Sequence, residues 1–241
     1  MPQCRVPLLF AMLSLVATAA FGQSLELRTA HRQVAELFEQ GRYDHAVPFA
    51  EETVRLSEQE FGAEHPTTAT LIDNLARLHR LQGRLDTAEN LYHRGLAIRM
   101  VALEMNHPDL AASHDNLGIV YTALERYADA EEQHWEAVRI MGHALARRPH
   151  VIDQQSRLAA LYKARALYNR ARVFEGQQRI VDADHLYEEV VSLFEIHLGA
   201  DHPDLAPPLE RRAQLLGQMG RADEAAEMTA RAAKVRTTKS P

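Results

Sequence analysis

Cysteine is almost absent from this 241-residue chain, in which Cys4 stands alone near the N-terminus. A single cysteine excludes an internal disulfide framework and a metal site built from cysteines. Aromatic residues are also few, at 6% of the chain, whereas alanine and leucine are plentiful. That balance favours helices packed by small side chains over a β-rich core.

Long runs of one charge are missing as well. The formal net charge is −6, and its acidic excess is spread along the chain. Nucleic-acid-binding domains carry clustered basic residues, so the sequence predicts no nucleic-acid partner. A chain that is 46% hydrophobic and 25% charged has ordinary globular composition and is long enough for one sizeable domain.

No motif for catalysis or cofactor binding is present in the sequence. It has neither a Walker loop nor a glycine cluster for dinucleotides, and no Ser-His-Asp arrangement stands out. None of the thirteen histidines forms a His-x-x-x-His pair, the spacing that would place two ligands on one helical turn. The sequence therefore predicts a protein that is not an enzyme and needs no metal or cofactor.

The N-terminus has the anatomy of a secretory signal peptide. One charged residue, Arg5, precedes the uncharged stretch of residues 6–20, and small residues give a cleavage point before Gln23 or, alternatively, before Ala20. The apolar stretch of about 15 residues is shorter than the roughly 20 that a membrane span needs. Residues 1–22 are therefore predicted to be a signal peptide, which leaves a mature chain without cysteine; the alternative is an uncleaved N-terminal anchor.

A histidine followed by proline recurs at a fixed distance before a turn-like segment. His65-Pro66, His107-Pro108 and His202-Pro203 each begin 18 residues before such a segment. The turn has two further copies, and the five turns begin near positions 41, 83, 125, 178 and 220. Their steps are 42, 42, 53 and 42 residues, and a period in this range is typical of a solenoid of repeated units.

Residues 65–106 illustrate one unit. Pro66 suits the first position of a helix, where its missing N–H is no loss. Leu71, Leu75 and Leu78 then follow helical spacing, Gly83 supplies a turn, and Asp86 is predicted to cap a second helix. Two helices joined by a tight turn predict an all-α fold of helical hairpins.

The 53-residue step indicates an insertion at about residues 149–161. An addition of eleven residues is close to three helical turns, so a lengthened first helix could keep its phase. A loop bulging from the solenoid is the alternative.

The repeated pattern resembles the tetratricopeptide repeat. Leucine followed by glycine or alanine, an aromatic residue, Gly-x-Tyr and a later alanine recur at fixed offsets over residues 29–236. The 42-residue period, the His-Pro junctions, Asn74-Leu75-Ala76 and Asn116-Leu117-Gly118 resemble specifically the kinesin-light-chain type. The resemblance implies a right-handed superhelical solenoid of about five helix-turn-helix repeats.

In this family the first helix of each repeat lines a concave groove that binds peptides. The matching positions here are Thr70, Asp73, Asn74, Arg77, Arg80, Ala112, Asp115, Asn116, Ile119, Thr122, Arg165, Tyr168, Asn169, Arg172 and Glu175. The resemblance implies that the asparagines hold a peptide backbone, because an amide offers both a donor and an acceptor. Alternatively, they bridge neighbouring repeats. The arginines give the groove set a slight basic lean toward acidic peptides.

The predicted function is therefore a non-enzymatic scaffold or adaptor that binds a protein or peptide partner in the groove. The alternative is a structural or oligomerising subunit of a cell-envelope assembly. The signal peptide predicts export, to a bacterial periplasm or the exterior, without stable membrane insertion after cleavage.

Overall fold

The structure, a computed structural model, describes residues 24–146 and 154–237. The predicted signal peptide, residues 1–22, lies outside this part, together with Cys4 and the cleavage point before Gln23. Residues 149–153 of the predicted insertion also lie outside it.

Ten α-helices and one short 3₁₀ turn, Pro203–Leu205, make up the regular structure of these two ranges, which contain no strand. The helices are α1 (Leu25–Glu39), α2 (Tyr43–Phe61), α3 (Pro66–Leu81), α4 (Leu85–Ala102), α5 (Pro108–Ala123), α6 (Tyr127–Ala146), α7 (Gln154–Gly176), α8 (Ile180–Leu198), α9 (Ala206–Gln218) and α10 (Ala222–Thr237). The prediction of an all-α fold is confirmed. None of the helices in the described ranges is both long and apolar enough to cross a membrane.

The chain divides into two compact units. Unit 1 comprises residues 1–124 and holds α1 to α5, while unit 2 comprises residues 125–241 and holds α6 to α10. Within unit 1, α1 packs on α2 and α3 packs on α4; within unit 2, α7 packs on α8 and α9 packs on α10. Each of these pairs is a helical hairpin.

Small side chains let the helices of unit 1 approach one another. Ala46, Ala69, Ala76 and Ala88 are completely buried, and Leu27, Ile72 and Leu78 fill the space between them. Burial of each large aliphatic side chain contributes roughly 1.5–3 kcal/mol. The unit 2 core depends more on aromatic rings, because Tyr187 and Phe194 are buried there with Leu209 and Leu216.

Each of the five repeat turns contains one residue in the left-handed region. Gly41, Gly83 and Gly220 adopt φ values of 69°, 77° and 76°, which glycine reaches without strain because it has no Cβ. Glu125 and Gln178 take the same conformation, with φ of 59° and 60°, at a cost of roughly 1–2 kcal/mol each. The same backbone turn therefore recurs even where the sequence has lost the glycine.

The helix after Gly83 begins at Leu85, two residues earlier than an N-cap at Asp86 predicts. Its N-cap is Arg84, which makes no capping hydrogen bond with its side chain. The prediction that Asp86 caps α4 is therefore wrong. The carboxylate lies in the first turn instead, where its charge favours the positive end of the helix dipole.

The His-Pro pairs form the helix starts. In each, the histidine is the N-cap and its Nδ1 accepts a hydrogen bond from the N–H two residues on, at 3.1 Å for His65, 3.1 Å for His107 and 3.3 Å for His202. The proline that follows occupies the first helical position. The prediction that these histidines belong to the helix-start junction is confirmed.

Replacing His107 with alanine is expected to lower the free energy of unfolding by about 1 kcal/mol, because the cap of α5 is lost. Asparagine at the same position supplies a shorter acceptor and should retain most of the stability. Urea denaturation of the wild type and both variants checks this; an alanine variant as stable as the wild type would show that the imidazole nitrogen contributes nothing.

Residues 154–161 of the predicted insertion belong to α7. That helix has 23 residues, whereas α3 and α5 have 16 each. Over its described part, the inserted segment thus lengthens a first helix.

Candidate peptide-binding faces of the first helices

The predicted groove residues belong to both units of the chain. The unit 1 face comprises the predicted positions of α3 and α5, and the unit 2 face comprises those of α7.

Asn74 and Asn116 occupy equivalent positions on the unit 1 face, 42 residues apart. Both are half-buried, and neither side chain makes a hydrogen bond to any residue of the described ranges. Each amide therefore keeps a donor and an acceptor available for another molecule.

Asp73, the neighbour of Asn74, has an internal partner. Its Oδ2 accepts a hydrogen bond from Arg99 Nη1 at 2.7 Å, and both side chains are almost fully buried. Burial raises the pKa of Asp73 to about 6, although the charge of Arg99 opposes the rise. Its second oxygen, Oδ1, is buried without a hydrogen bond in the described structure and faces Gly95 of α4. Asp73 thus contributes to the interior of unit 1.

Arg99 connects three helices. Besides Asp73 of α3, its Nη1 donates to Ser113 Oγ of α5 at 2.7 Å, and its Nη2 donates to Thr70 Oγ1 of α3 at 3.3 Å. Arg99 itself belongs to α4 and is only 4% exposed. The hydroxyl of the predicted groove residue Thr70 therefore already accepts a hydrogen bond within this buried cluster.

The two arginines of α3 lie near aromatic residues, and Arg77 packs on a ring. The guanidinium of Arg77 lies 4.4 Å from the centroid of the Phe38 ring, a cation–π contact with α1. Burial raises the pKa of Tyr92 to about 12, and the positive charge of the nearby Arg80 opposes the rise. Both arginines remain half-exposed.

On α5, the predicted positions differ in exposure. Asp115 is 1% exposed and has a partner within the structure. Thr122 donates to the Gly118 carbonyl oxygen at 2.8 Å. Asn116, Ile119 and Ala112 are half-buried and contribute the accessible surface of this helix.

Most of the unit 2 face is engaged in internal contacts. Arg165 lies over the Tyr162 ring at 5.3 Å, and the ring of Tyr168 meets that of Tyr187 edge to face at 5.1 Å. Asn169 also has a partner within the structure, unlike Asn74 and Asn116.

The end of α7 continues this pattern. Glu175 accepts a hydrogen bond from the Tyr187 hydroxyl at 2.7 Å and lies 3.6 Å from Arg211 of α9. Burial raises the pKa of Tyr187 far above its ordinary value, and the adjacent Glu175 raises it further. Arg172 is the exposed member of the set.

Two basic residues of α1 were not among the groove positions predicted from the sequence. Arg28 and Arg32 lie one period, 42 residues, before Thr70 and Asn74. Both are exposed, and neither forms an ion pair with a residue of the described ranges. Applying the 42-residue period to α1 would have found them.

Comparison with known proteins places this fold in a family. The sequence pattern of the tetratricopeptide repeat matches residues 26–100, 81–142 and 162–238. The clustered mitochondria protein homolog of Homo sapiens is 26% identical over 162 residues, which are 67% of this chain and 12% of that protein. Tetratricopeptide repeat protein 19, mitochondrial, of Homo sapiens is 35% identical over 89 residues, 37% of this chain and 23% of that protein. The chain thus spans less than a quarter of either relative.

The crystal structure of nearly identical TPR-like repeats from a kinesin light chain of Podosopora anserina has a similar fold. It matches with a TM-score of 0.67 at 23% identity, over 89% of this chain and 97% of that one. This likeness confirms the predicted helical-repeat fold of the kinesin-light-chain type, and at this identity it concerns the fold alone. With its sequence pattern matched over most of residues 26–238, the chain belongs to the tetratricopeptide repeat family.

Proposed function

We propose that the chain is a non-enzymatic scaffold whose unit 1 face binds an extended segment of a partner protein. The observation that carries this proposal is the pair of amides on Asn74 and Asn116. They lie at equivalent positions of two repeats, and no hydrogen bond to the described chain satisfies them. Helical-repeat proteins present such faces to their partners.

An asparagine amide can pair with the N–H and the C=O of a peptide unit at once. Two amides one period apart can therefore hold an extended chain at two points through its backbone. The alternative role, a bridge between neighbouring repeats, suits Asn74 and Asn116 less well. A side chain that bridges two repeats needs a hydrogen-bond partner on the neighbouring helix.

The charges of the unit 1 face favour acidic partners. On the face itself, Arg77 and Arg80 are half-exposed, whereas the carboxylates of Asp73 and Asp115 are buried. Arg28 and Arg32, at the equivalent positions of α1, are exposed and form no ion pair in the described ranges. The accessible charge of this face is consequently basic, although the whole chain carries −6. Exposed charges of this kind mainly steer association and weaken with salt.

Replacing Asn74 or Asn116 with alanine is expected to weaken peptide binding on the order of tenfold, because peptide groups on the ligand lose their partners. Unfolding stability should change little, since neither amide is bonded within the chain. The probe is an acidic decapeptide selected from a random library on the full-length protein, and its affinity is measured by calorimetry.

The matched control is Asn90→Ala, which removes an exposed amide from α4, away from the unit 1 face. It should leave affinity and stability unchanged. A large fall in melting temperature for Asn74→Ala, with the affinity for the decapeptide preserved, would contradict the proposed role and favour the bridging one.

We further propose that the protein works after export, in a periplasm or outside the cell. The support is the short apolar stretch at residues 6–20 with small residues before Gln23. N-terminal sequencing of protein from fractionated cells is expected to begin near Gln23; an intact Met1 in the membrane fraction would indicate an anchor instead.

A further inference from the structure

We propose that Arg99 is a positioning residue for Asn74 and Asn116, one that fixes the spacing between the two amides. This inference rests on the proposed function of the unit 1 face. Arg99 would not touch the peptide; it acts through the two helices that carry the asparagines.

The geometry places the guanidinium between those two helices. One nitrogen, Nη1, donates both to Asp73 Oδ2 of α3 and to Ser113 Oγ of α5, each at 2.7 Å. Asp73 immediately precedes Asn74, and Ser113 lies three residues, less than one helical turn, before Asn116. A change in either contact would therefore shift an asparagine relative to its counterpart.

The hydrogen bonds of the cluster are complementary. Ser113 accepts from Arg99 and donates its own proton to the Asp109 carbonyl oxygen at 3.1 Å. Thr70 likewise donates to the Pro66 carbonyl oxygen at 3.1 Å while it accepts from Arg99. Each hydroxyl thus donates a hydrogen bond to a backbone carbonyl group of its own helix. Through these hydroxyls, Arg99 is linked to the backbones of α3 and α5. The planar fork of arginine suits such multiple contacts better than the point charge of lysine.

The buried form of the cluster occurs once in the described repeats. The residues equivalent to Arg99 are Ser57, Met141 and Phe194, which are buried, and Arg236, which is exposed. Arg236 pairs with Glu210, the equivalent of Asp73, at 2.6 Å, and this pair lies largely in solvent. Apolar packing therefore suffices at Met141 and Phe194 of unit 2, where the asparagine of the face, Asn169, is bonded within the structure. The charged cluster is found where two available amides lie on either side of it, which a role in packing alone does not explain.

The test is Ser113→Ala, which removes the α5 contact and leaves the Asp73–Arg99 pair intact. The matched control is Ser57→Ala. Ser57 is equally buried in unit 1 and shares a hydrogen bond of 2.8 Å with Thr68, linking α2 to α3. Both variants lose one buried serine hydroxyl, so a general loss of stability affects them alike.

Helix spacing is measured without ligand, on the full-length protein carrying Cys4→Ser. Nitroxide labels are attached at Leu81→Cys and Ala123→Cys, the equivalent exposed ends of α3 and α5. Their dipolar coupling is expected to change in Ser113→Ala and to stay as in the wild type in Ser57→Ala. Unchanged coupling in Ser113→Ala overturns the proposal.

Binding of the selected decapeptide is measured on the unlabelled variants. Ser113→Ala should weaken affinity about fivefold or more, Ser57→Ala less than twofold, and Ser113→Ala should have no further effect once Asn116 is alanine. If Asn74→Ala and Asn116→Ala weaken binding while Ser113→Ala does not, this inference fails and the proposed function stands. If the asparagine variants bind as tightly as the wild type, the proposed function fails, and the positioning role fails with it.

Discussion

Replacing Gly95 with alanine is expected to lower the free energy of unfolding of unit 1 by about 3 kcal/mol or more. A β-carbon at Gly95 would lie 2.3 Å from Asp73 Oδ1 and 3.4 Å from the Ala69 carbonyl oxygen. The carboxylate is not free to move away, because its other oxygen is held by Arg99 at 2.7 Å. Either this buried ion pair breaks, or α4 moves away from α3 along their whole contact.

Urea denaturation followed by circular dichroism measures the loss. Gly142→Ala in α6 and Gly217→Ala in α9 are matched controls, because a β-carbon at either helical glycine meets nothing within 4 Å. Those two variants should gain about 0.5–1 kcal/mol, since alanine loses less conformational entropy than glycine in a helix. A Gly95→Ala variant as stable as its controls would mean that Asp73 can leave its place without cost.

The sequence pattern predicts the helices and their turns well, because both are local. Leu71, Leu75 and Leu78 repeat at helical spacing, and all three are buried. Even Gln178, which has no turn-forming preference of its own, takes the left-handed conformation that its position in the period predicts. Comparison between repeats thus succeeds where the residue alone gives no signal.

Contacts between helices are harder to predict, and the unit 1 face illustrates why. Helical periodicity places Asp73 at the edge of the core, next to Asn74 in the sequence. It does not identify which residue of a neighbouring helix contacts the Asp73 carboxylate. That residue is Arg99, 26 positions later on another helix. Its position holds apolar Met141 and Phe194 in the next two repeats and a basic residue again at Arg236 of the last, so the period alone does not show that the ion pair of Arg99 is buried. A basic residue inside an otherwise apolar helix face is the available signal.

Replacing Arg99 with methionine is expected to lower the free energy of unfolding by about 3–5 kcal/mol at pH 8, because it leaves the Asp73 carboxylate buried without its cation. Methionine occupies the equivalent position in the next repeat, so its size suits this kind of site. Changing Asp73 to leucine as well should restore part of the loss, since a buried apolar pair is often as stable as a buried ion pair.

The loss should be smaller at pH 5 than at pH 8. Burial raises the pKa of Asp73 from 3.8 to about 6 in the folded wild type. A carboxyl with a raised pKa in the folded state contributes stability below its unfolded pKa, and that stability is lost as the pH rises through the folded pKa. Arg99 holds this pKa down by its charge. Without Arg99 the pKa of Asp73 rises further, and the variant loses more stability between pH 5 and pH 8 than the wild type does.

Urea midpoints of both proteins at pH 5 and pH 8 check this difference. Burial lowers the pKa of His31 and of His79, which destabilises the folded state as the pH falls below about 6.5. The two histidines act alike in wild type and variant, so their effect cancels when the two proteins are compared at one pH.

Arg94→Met is the matched control, because Arg94 lies on the same helix and forms only an exposed pair with Glu58. Its loss should stay within about 1 kcal/mol at either pH. A loss for Arg99→Met that is equally large at pH 5 and pH 8 would show that the cation contributes through packing and not through the charge of Asp73.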